Sequence, residues 1–560
     1  MTRLHRCLPF LRWPRPTAAL LRGEAWAGLT VGLMVIPQGV AYAALAGMPL
    51  VTGIYASLLP ALVAVLFGGS PRLSVGPTAL SCLLVSASLT GLALPGSPDW
   101  VALAVWLALL SGGLQVALGL ARFGWLLNLV NAPVLMAFTQ AAALLIIGSQ
   151  LPALLGLPGW DPTRLADAHL PSLAFGLGSL AVLLLARRWR PHWPVVLVLV
   201  LGTAGLSQAL DFAAQGGAVV GALPQGLPSL YLPTWPGWQT LGQLAVPVLV
   251  ITLVSFLETA ASAQVDNARR GERWDQNQDL IGQGLAKVAS GLSGAFPTSS
   301  SFSRSALNLY AGAQTGWATV FAVGLVVLAL WLFLPVLHHV PQAVLAAIVW
   351  VAVVGLVQPR AFVRLWRISR VEAVTAGATV LITLLTAPRL YWGVLAGMLM
   401  ALSHFLYQRL HPRIIEVGLH PDGRLRDRHL WQLPPLAPRT CALRMDADLD
   451  FGSASALEDA VAQHLALAPD TQHVLWLAAP VNRIDATGVD TFGRLRRQLA
   501  EQRRHLWLVG VKLPVETVLR QAGELPESPW LHLHATEAAA LQALREQTGT
   551  APQDPAAAVL

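Results

Sequence analysis

Apolar residues run along this chain in blocks rather than at alternating positions. "VALAVWLALLSGGLQVALGL" from Val101, "PVLVITLVSFLETAASA" from Pro247 and "VFAVGLVVLALWLFLPVL" from Val320 are apolar on every helical face. Blocks of about 18–22 such residues have the length a helix needs to cross the hydrocarbon core of a bilayer. They predict about fourteen membrane segments between roughly Trp26 and Leu410. Two stretches break the pattern. "SVGPTALSCLLVSASL" from Ser74 and "GAFPTSSSFSRSALNLYAG" from Gly294 are too short, too small and too polar to span alone. The second packs six hydroxyl side chains (Thr298, Ser299, Ser300, Ser301, Ser303, Ser305) and one guanidinium, Arg304, into eight positions.

Composition agrees with a membrane protein. Of 560 residues, 55% are hydrophobic and 12% charged, too little charge to solvate a soluble surface of this size. Cys7, Cys82 and Cys441 lie far apart and give neither a disulfide framework nor metal-ligand spacing. The basic residues 1–22 contain Pro9, Pro14 and Pro16 and no continuous apolar core, so they read as a cytosolic arm and not as a cleaved signal. The net charge of +8 is nearly all arginine; Lys287 and Lys512 are the only lysines. These arginines report topology rather than nucleic-acid binding. Arg122, "RRWR" (Arg187 to Arg190), "NARRGER" (from Asn267) and "PRAFVRLWRISR" (from Pro359) fall on one side, with both termini. The loop from Asp211 to Gln243 has no Lys or Arg and falls on the other. By the positive-inside rule the first side is the cytosol.

The two interrupted stretches occupy corresponding places in two halves of the membrane region, which points to a secondary transporter built from inverted repeats. Each predicts an extended piece followed by a half-helix, tolerated at mid-membrane only inside protein or beside a water-filled cavity. A half-helix that starts there aims its free N–H groups and positive dipole end inward, so two facing N-termini make an anion site. Ser301, Ser303 and the N–H groups after Pro77 would replace the anion's hydration, and Arg304 would add a full charge. A second reading pairs Arg304 with an acidic residue to lock two helices. Ser299 and Ser300 read as packing hydroxyls. Glu258 is the carboxylate placed well inside an apolar run. It reads either as a proton carrier of the transport cycle or as the ion-pair partner of Arg304. Asp266, eight residues on, reads as solvated at the cytosolic end.

The pattern changes past Leu410. Residues 23–410 form the predicted membrane unit and 411–437 a charged, Pro-rich linker. Residues 438–550 alternate strands ("TCALRMDAD", "HVLWLAA", "HLWLVGV") with helices ("SASALEDAVAQHLAL", "TGVDTFGRLRRQLAEQRR"), a small α/β domain, and 551–560 a tail.

"GLTVGLMVIPQGVAYAALAGMPLVTGIYASLLPALVAVLFGGSPRLSVGPTAL" (Gly28 to Leu80), "VVGALPQGLPSLYLP" (Val219 to Pro233) and "NQDLIGQGLAKVASGLSGAFPTSSSFSRSALNLYAGAQT" (Asn277 to Thr315) resemble the sulfate permease family, the solute carrier 26 anion transporters. "VNRIDATGVDTFGRL" (Val481 to Leu495) resembles the core motif of the STAS domain. The resemblance implies an α-helical membrane protein of fourteen segments in a seven-plus-seven inverted repeat, with two half-helices meeting at mid-membrane and a C-terminal α/β STAS domain. It implies a homodimer in the inner membrane that carries a small anion of the sulfate, bicarbonate or C4-dicarboxylate class, with no cofactor, metal or nucleic acid. Its anion pocket maps to Gln38 in "IPQGVAYA", to Thr78 and Ala79 at the first half-helix, and to Ser301, Phe302, Ser303 and Arg304 at the second. Its coupling acid maps to Glu258; glutamate there favours protons or exchange over sodium. In the STAS motif Asp485, Thr487 and Gly488 start a helix. Ala486 stands where related antagonists carry a phosphorylatable serine, which argues against a phosphoserine switch, while a cytosolic regulator remains an expected partner. Two other readings stand beside this one: a nucleobase or organic-anion carrier of the same architecture, and a membrane-tethered signalling module acting through its tail.

Overall fold

A computed structural model describes residues 8–549, apart from 130, 158–168, 190–194, 222–223, 225, 272 and 333–336. Cys7, Arg190 of the basic cluster and the tail 551–560 lie outside the described residues. The chain divides into two compact units, Met1–Ala401 and Leu402–Leu560.

The first unit is helical. Its helices are α1 (Ala18–Leu45), α2 (Val51–Tyr55), α3 (Leu59–Phe67), α4 (Ala79–Leu89), α5 (Pro98–Leu120), α6 (Ala132–Leu155), α7 (Leu170–Trp189) and α8 (Val195–Ala209). There follow α9 (Trp238–Arg270), α10 (Gln276–Leu292), α11 (Phe302–Tyr310), α12 (Trp317–Leu332), α13 (Gln342–Val354), α14 (Pro359–Ile368) and α15 (Arg370–Leu385), and α16 (Tyr391–Leu410) begins in this unit. Among the described residues five helices are long and apolar enough to cross a membrane alone. Several others are shorter apolar helices, α4 among them.

Two short strands, β1 (Val75–Gly76) and β2 (Ser299–Ser300), interrupt the helices. They pair antiparallel, Val75 opposite Ser300 and Gly76 opposite Ser299. Each leads into a half-helix, β1 into α4 and β2 into α11. Backbone pairing satisfies groups that would otherwise be stranded in a low-dielectric interior.

Small residues set the packing around this hairpin. On α5 and α10, a Cβ built at Gly112 would lie 2.7 Å from the Gly284 carbonyl oxygen, and one at Gly284 equally close to that of Gly112. Close helix approach through small residues is how membrane helices gain contact when burial supplies no driving force. On α1 and α2, a Cβ at Gly53 would fall 1.8 Å from the Gly39 oxygen, so the two backbones touch beside Gln38. Helix ends are capped where the sequence provides for it. Ser97 accepts from the Trp100 N–H, with Pro98 and Asp99 in the first turn of α5, and Asp275 accepts from the Gln278 N–H at α10. Glu24, buried on α1, accepts from the N–H groups of Gln314, Thr315 and Ala318 at the start of α12 (2.7–2.9 Å). It answers that helix's unpaired donors and positive end.

The second unit is a six-stranded sheet in the order β4–β3–β5–β6–β7–β8. Its strands are β3 (Ile414–Leu419), β4 (Leu425–Asp427), β5 (Thr440–Met445), β6 (His473–Leu477), β7 (His505–Val509) and β8 (Leu531–His534). Strands β5 to β8 are parallel, and β3 is antiparallel to both neighbours. Helices α17 (Ala454–Leu467), α18 (Ala486–Glu501) and α19 (Leu513–Gln521) share one apolar core with the sheet, through Leu457, Phe492 and Leu519. Helix α20 (Glu537–Thr548) joins a second core with Trp507 and Leu475 through Ala540 and Leu544. Covered on both faces, β6 is buried at all five positions and reads as the continuous run "HVLWL". The stretch 411–437, expected as a linker, holds β3 and β4. The apolar positions of "IIEVGL" pair it onto β5, and the charged "LRD" forms the edge strand.

Candidate functional site

The hairpin brings together residues about 225 apart in sequence, as the paired positions 75 and 300 require. Both half-helices start on a hydroxyl cap. Thr78 accepts from the Ser81 N–H (3.2 Å) and Ser301 from the Arg304 N–H (3.5 Å). The remaining N–H groups of each first turn have no intrahelical acceptor. Ala79 is in the first turn of α4, while Phe302 (57% exposed) and Ser303 open α11 on its exposed side. The Ser301 and Ser303 hydroxyls lie 3.3 Å apart.

The opposite face of α11 is a strap. Ser301, Arg304, Ser305 and Asn308 recur at helical spacing and all engage the segment 72–77. The Ser301 N–H donates to the Ser74 carbonyl (2.9 Å), and the Ser74 N–H donates to Ser305 Oγ (3.0 Å). Asn308 Nδ2 donates to the Arg72 carbonyl (2.8 Å). Arg304, 1% exposed, donates through Nε to Ser74 Oγ (3.2 Å) and through Nη1 to the Pro77 carbonyl (2.9 Å). Its charge therefore sits behind the hairpin, and its donors hold the first half-helix's lead-in. Of the two sequence readings of Arg304, the ion pair with Glu258 does not form among the described residues. Ser299 donates to the Ser255 carbonyl (3.2 Å) and, like Ser300, is fully buried.

Glu258 on α9 is half-buried and accepts from Thr78 Oγ1 (3.1 Å) and Ser81 Oγ (3.5 Å), so it reaches the cap of the first half-helix. Gln38 on α1 is buried, and its Oε1 has no hydrogen-bond partner among the described residues. A buried amide end without a partner is costly unless something pairs with it.

Among the described residues of the first unit, three carboxylates lie deeper than Glu258. Asp266 is fully buried and ion-paired with Arg72, which also donates to its carbonyl (3.2 Å). The expectation that Asp266 is solvated is corrected. Helix α9 continues past it to Arg270, and the segment after α3 folds against it, with Asn267 Nδ2 donating to Ser70 Oγ (3.2 Å). Asp279 accepts from the Gly69 and Ser70 N–H groups, Ser70 Oγ and Trp274 Nε1. Glu24 caps α12 as described. Sequence reasoning passed over Lys287. It is 0% exposed on α10, donates to Gln115 Oε1 (2.8 Å) and bonds Ser255 Oγ, one turn before Glu258. One signal was available: a lysine surrounded by Gly, Ala and Ser in a chain with two lysines.

In the second unit Asp485 caps α18. Its Oδ1 accepts from the Gly488 N–H (2.8 Å) and its Oδ2 from the Phe451 N–H (2.9 Å). A Cβ at Gly488 would lie 2.3 Å from the Leu449 oxygen, so glycine lets the helix start against that loop. Thr487 is exposed. Across β6, β7 and β8 stands a row of imidazoles. His505 Nδ1 and His532 Nε2 are 3.0 Å apart, and Trp507 Nε1 donates to His473 Nδ1 (3.3 Å). Burial, then the neighbouring imidazoles and Arg439, push His473 down to about 4. Burial also lowers His505 and His532.

The sequence matches the family model of the sulfate permease family over residues 21–379 and that of the STAS domain over residues 435–540. A probable sulfate transporter of Mycobacterium tuberculosis is 32% identical over 94% of this chain and 96% of its own length. The sodium-independent sulfate anion transporter of Bos taurus is 29% identical over 93% of this chain and 88% of its own. The solved structure of SLC26A9 shares the fold, with a TM-score of 0.86 at 19% identity, over 97% of this chain and 94% of that one. With the paired half-helices in the first unit and the α/β sheet in the second, these matches settle the family: the chain belongs to the sulfate permease family of anion transporters and carries a C-terminal STAS domain.

Proposed function

We propose that this chain is a secondary active transporter that carries sulfate across the inner membrane by alternating access, in symport with protons. One observation carries the reading: two hydroxyl-capped half-helix N-termini meet at the β1–β2 pairing, far apart in sequence and adjacent in space. Two positive dipole ends and their open N–H groups suit an anion that must shed its water. The anion sits between Ala79, Phe302 and Ser303, with Gln38 and Thr78 lining it. Arg304 acts from behind as charge and strap. The names of the bovine and mycobacterial relatives favour sulfate, and the bovine name favours independence from sodium.

Glu258 is the proton carrier in this scheme. It touches the cap of the first half-helix, so an anion bound there favours its protonated form. Linkage makes the help reciprocal: a proton on Glu258 favours the anion. The protein works as a homodimer with both termini in the cytosol, through fourteen segments in a seven-plus-seven repeat. Its STAS domain receives a cytosolic regulator.

The test is uptake into proteoliposomes of sulfate, bicarbonate, chloride, oxalate and C4-dicarboxylates, with and without an inward proton gradient. Sulfate uptake that the gradient drives, without sodium, supports the reading. Uptake of a dicarboxylate in preference to sulfate would replace the substrate, and no uptake of any anion would overturn transport.

A further inference from the structure

Lys287 has no role in the scheme so far, yet it is a fully buried cation. Its ammonium is fully enclosed, and its partners are a hydroxyl and an amide oxygen. Among the described residues no carboxylate oxygen lies within 4.0 Å of it. An isolated buried charge is rarely kept without a task.

Its neighbours show what the task is. The elements packed on α10 are α3, α5, α9, β2 and the turn Phe123–Leu129. Along α3, β2 and that turn there is no charged residue, and α5 has Asp99 alone, in its first turn. Asp279, on α10 itself, is two turns away and is held by Gly69, Ser70 and Trp274. On α9, Asp266 is paired with Arg72, while Glu258 is one turn from Ser255, which Lys287 holds. Side chains three apart on a helix are neighbours, about 5–6 Å between Cβ atoms. Tyr42 and Cys82, buried on α1 and α4, are uncharged side chains in their ordinary states. Arg269 and Arg270 close α9, about three turns past Glu258. Among the described residues the unpaired charges around the hairpin are thus Lys287 and Arg304, positive, and Glu258, negative.

We propose that Lys287 sets the charge of the anion site: its ammonium offsets the Glu258 carboxylate, leaving the net positive charge of Arg304 for the anion. This rests on the reading that the hairpin binds the transported anion. A monovalent anion then neutralises the site and needs no proton. A divalent anion leaves one surplus negative charge, which protonation of Glu258 removes. Proton demand follows the charge of the substrate, and Lys287 fixes where the balance lies. Lys287 is a positioning residue, since it acts through Ser255 and through its field.

The test uses the full chain in proteoliposomes with labelled sulfate and labelled chloride. Sulfate uptake by the parent protein should rise with external acidification, approaching about tenfold per pH unit, the limit for one coupled proton. Chloride uptake should not change. In Lys287→Met, chloride uptake should become acid-dependent and sulfate uptake should fall. Lys287→Arg, which keeps the charge, should keep both parental profiles; a merely structural lysine would not separate Arg from Met in this way. An inserted Lys287→Met protein with both parental pH profiles overturns the proposal. If that variant does not insert, the parent decides: equal pH dependence for sulfate and chloride overturns it. A parent that moves neither anion overturns the transport reading itself, a different result from any of these.

Discussion

Ser303 and Arg304 are adjacent in sequence and face opposite ways, and their substitutions should differ accordingly. Ser303 presents an exposed hydroxyl, so Ser303→Ala removes one neutral hydrogen bond to the anion, about 0.5–1.5 kcal/mol, or roughly two- to thirteenfold in uptake at limiting substrate. Arg304→Ala removes a charge and also leaves Ser74 Oγ and the Pro77 carbonyl without their donor, about 1–3 kcal/mol for each unsatisfied group. Its uptake should fall at least about thirtyfold, the product of two such losses at about 1 kcal/mol each. Proteoliposome uptake normalised to inserted protein measures both, and parental uptake by Arg304→Ala would sink the claim. Glu258→Gln keeps the shape of the side chain and cannot release a proton. It should exchange anion for anion at near-parental rate and lose acid-driven accumulation. Retained accumulation would remove Glu258 from the coupling step.

At the scale of elements, local chemistry was legible and distant pairing was not. The half-helices stood out in the sequence because small and hydroxyl residues interrupt apolar blocks. Their caps were not read as such: the sequence reading gives Thr78 and Ser301 to the anion pocket, although each directly precedes a helical run. Asp266 was misread because its partner, Arg72, lies 194 positions away and no local pattern announces it. Lys287 was missed for the same reason, with Gln115 172 positions away. Strand β3 was hidden by the charges and prolines around it, although its apolar residues suit a half-covered strand. The contact of α1 with α2 gives a direct test of element packing. Gly53→Ala would put a methyl group 1.8 Å from the Gly39 oxygen, a backbone atom that cannot yield without moving α1 and with it Gln38. The variant should lose its monodisperse peak in detergent size-exclusion chromatography. A parental profile with parental uptake would show that α2 has room to shift.

At the scale of the whole molecule, each unit has its own core, and their perturbations should separate. A chain ended after Leu410, the end of α16, should insert and be purified, with reduced or altered transport. Failure to insert would make the STAS domain part of the membrane fold. The imidazole row gives the second unit its own acid sensitivity. His473, His505 and His532 hold folded values below the ordinary one near 6.5, so the unfolded state binds protons more readily. The stability they permit is complete above about pH 6.5 and declines as pH falls from there towards the folded value of about 4 for His473. Hydrogen exchange of the full chain, corrected for intrinsic rates, should show protection in β6 to β8 declining over that window. Unchanged protection there would mean that the row accepts protons without loss.

The pairing of Val75 with Ser300 also fixes an order in time. A ribosome that adds about 5–20 residues per second needs roughly 11–45 s to travel from one partner to the other. Throughout that interval the segment before α4 has neither its antiparallel neighbour nor the guanidinium that later bonds Ser74 and Pro77. The nascent chain must therefore shelter an unfinished polar edge, in water or against the insertion machinery, until the second half emerges. Any chain released before that point carries the mark of its own incompleteness at mid-membrane.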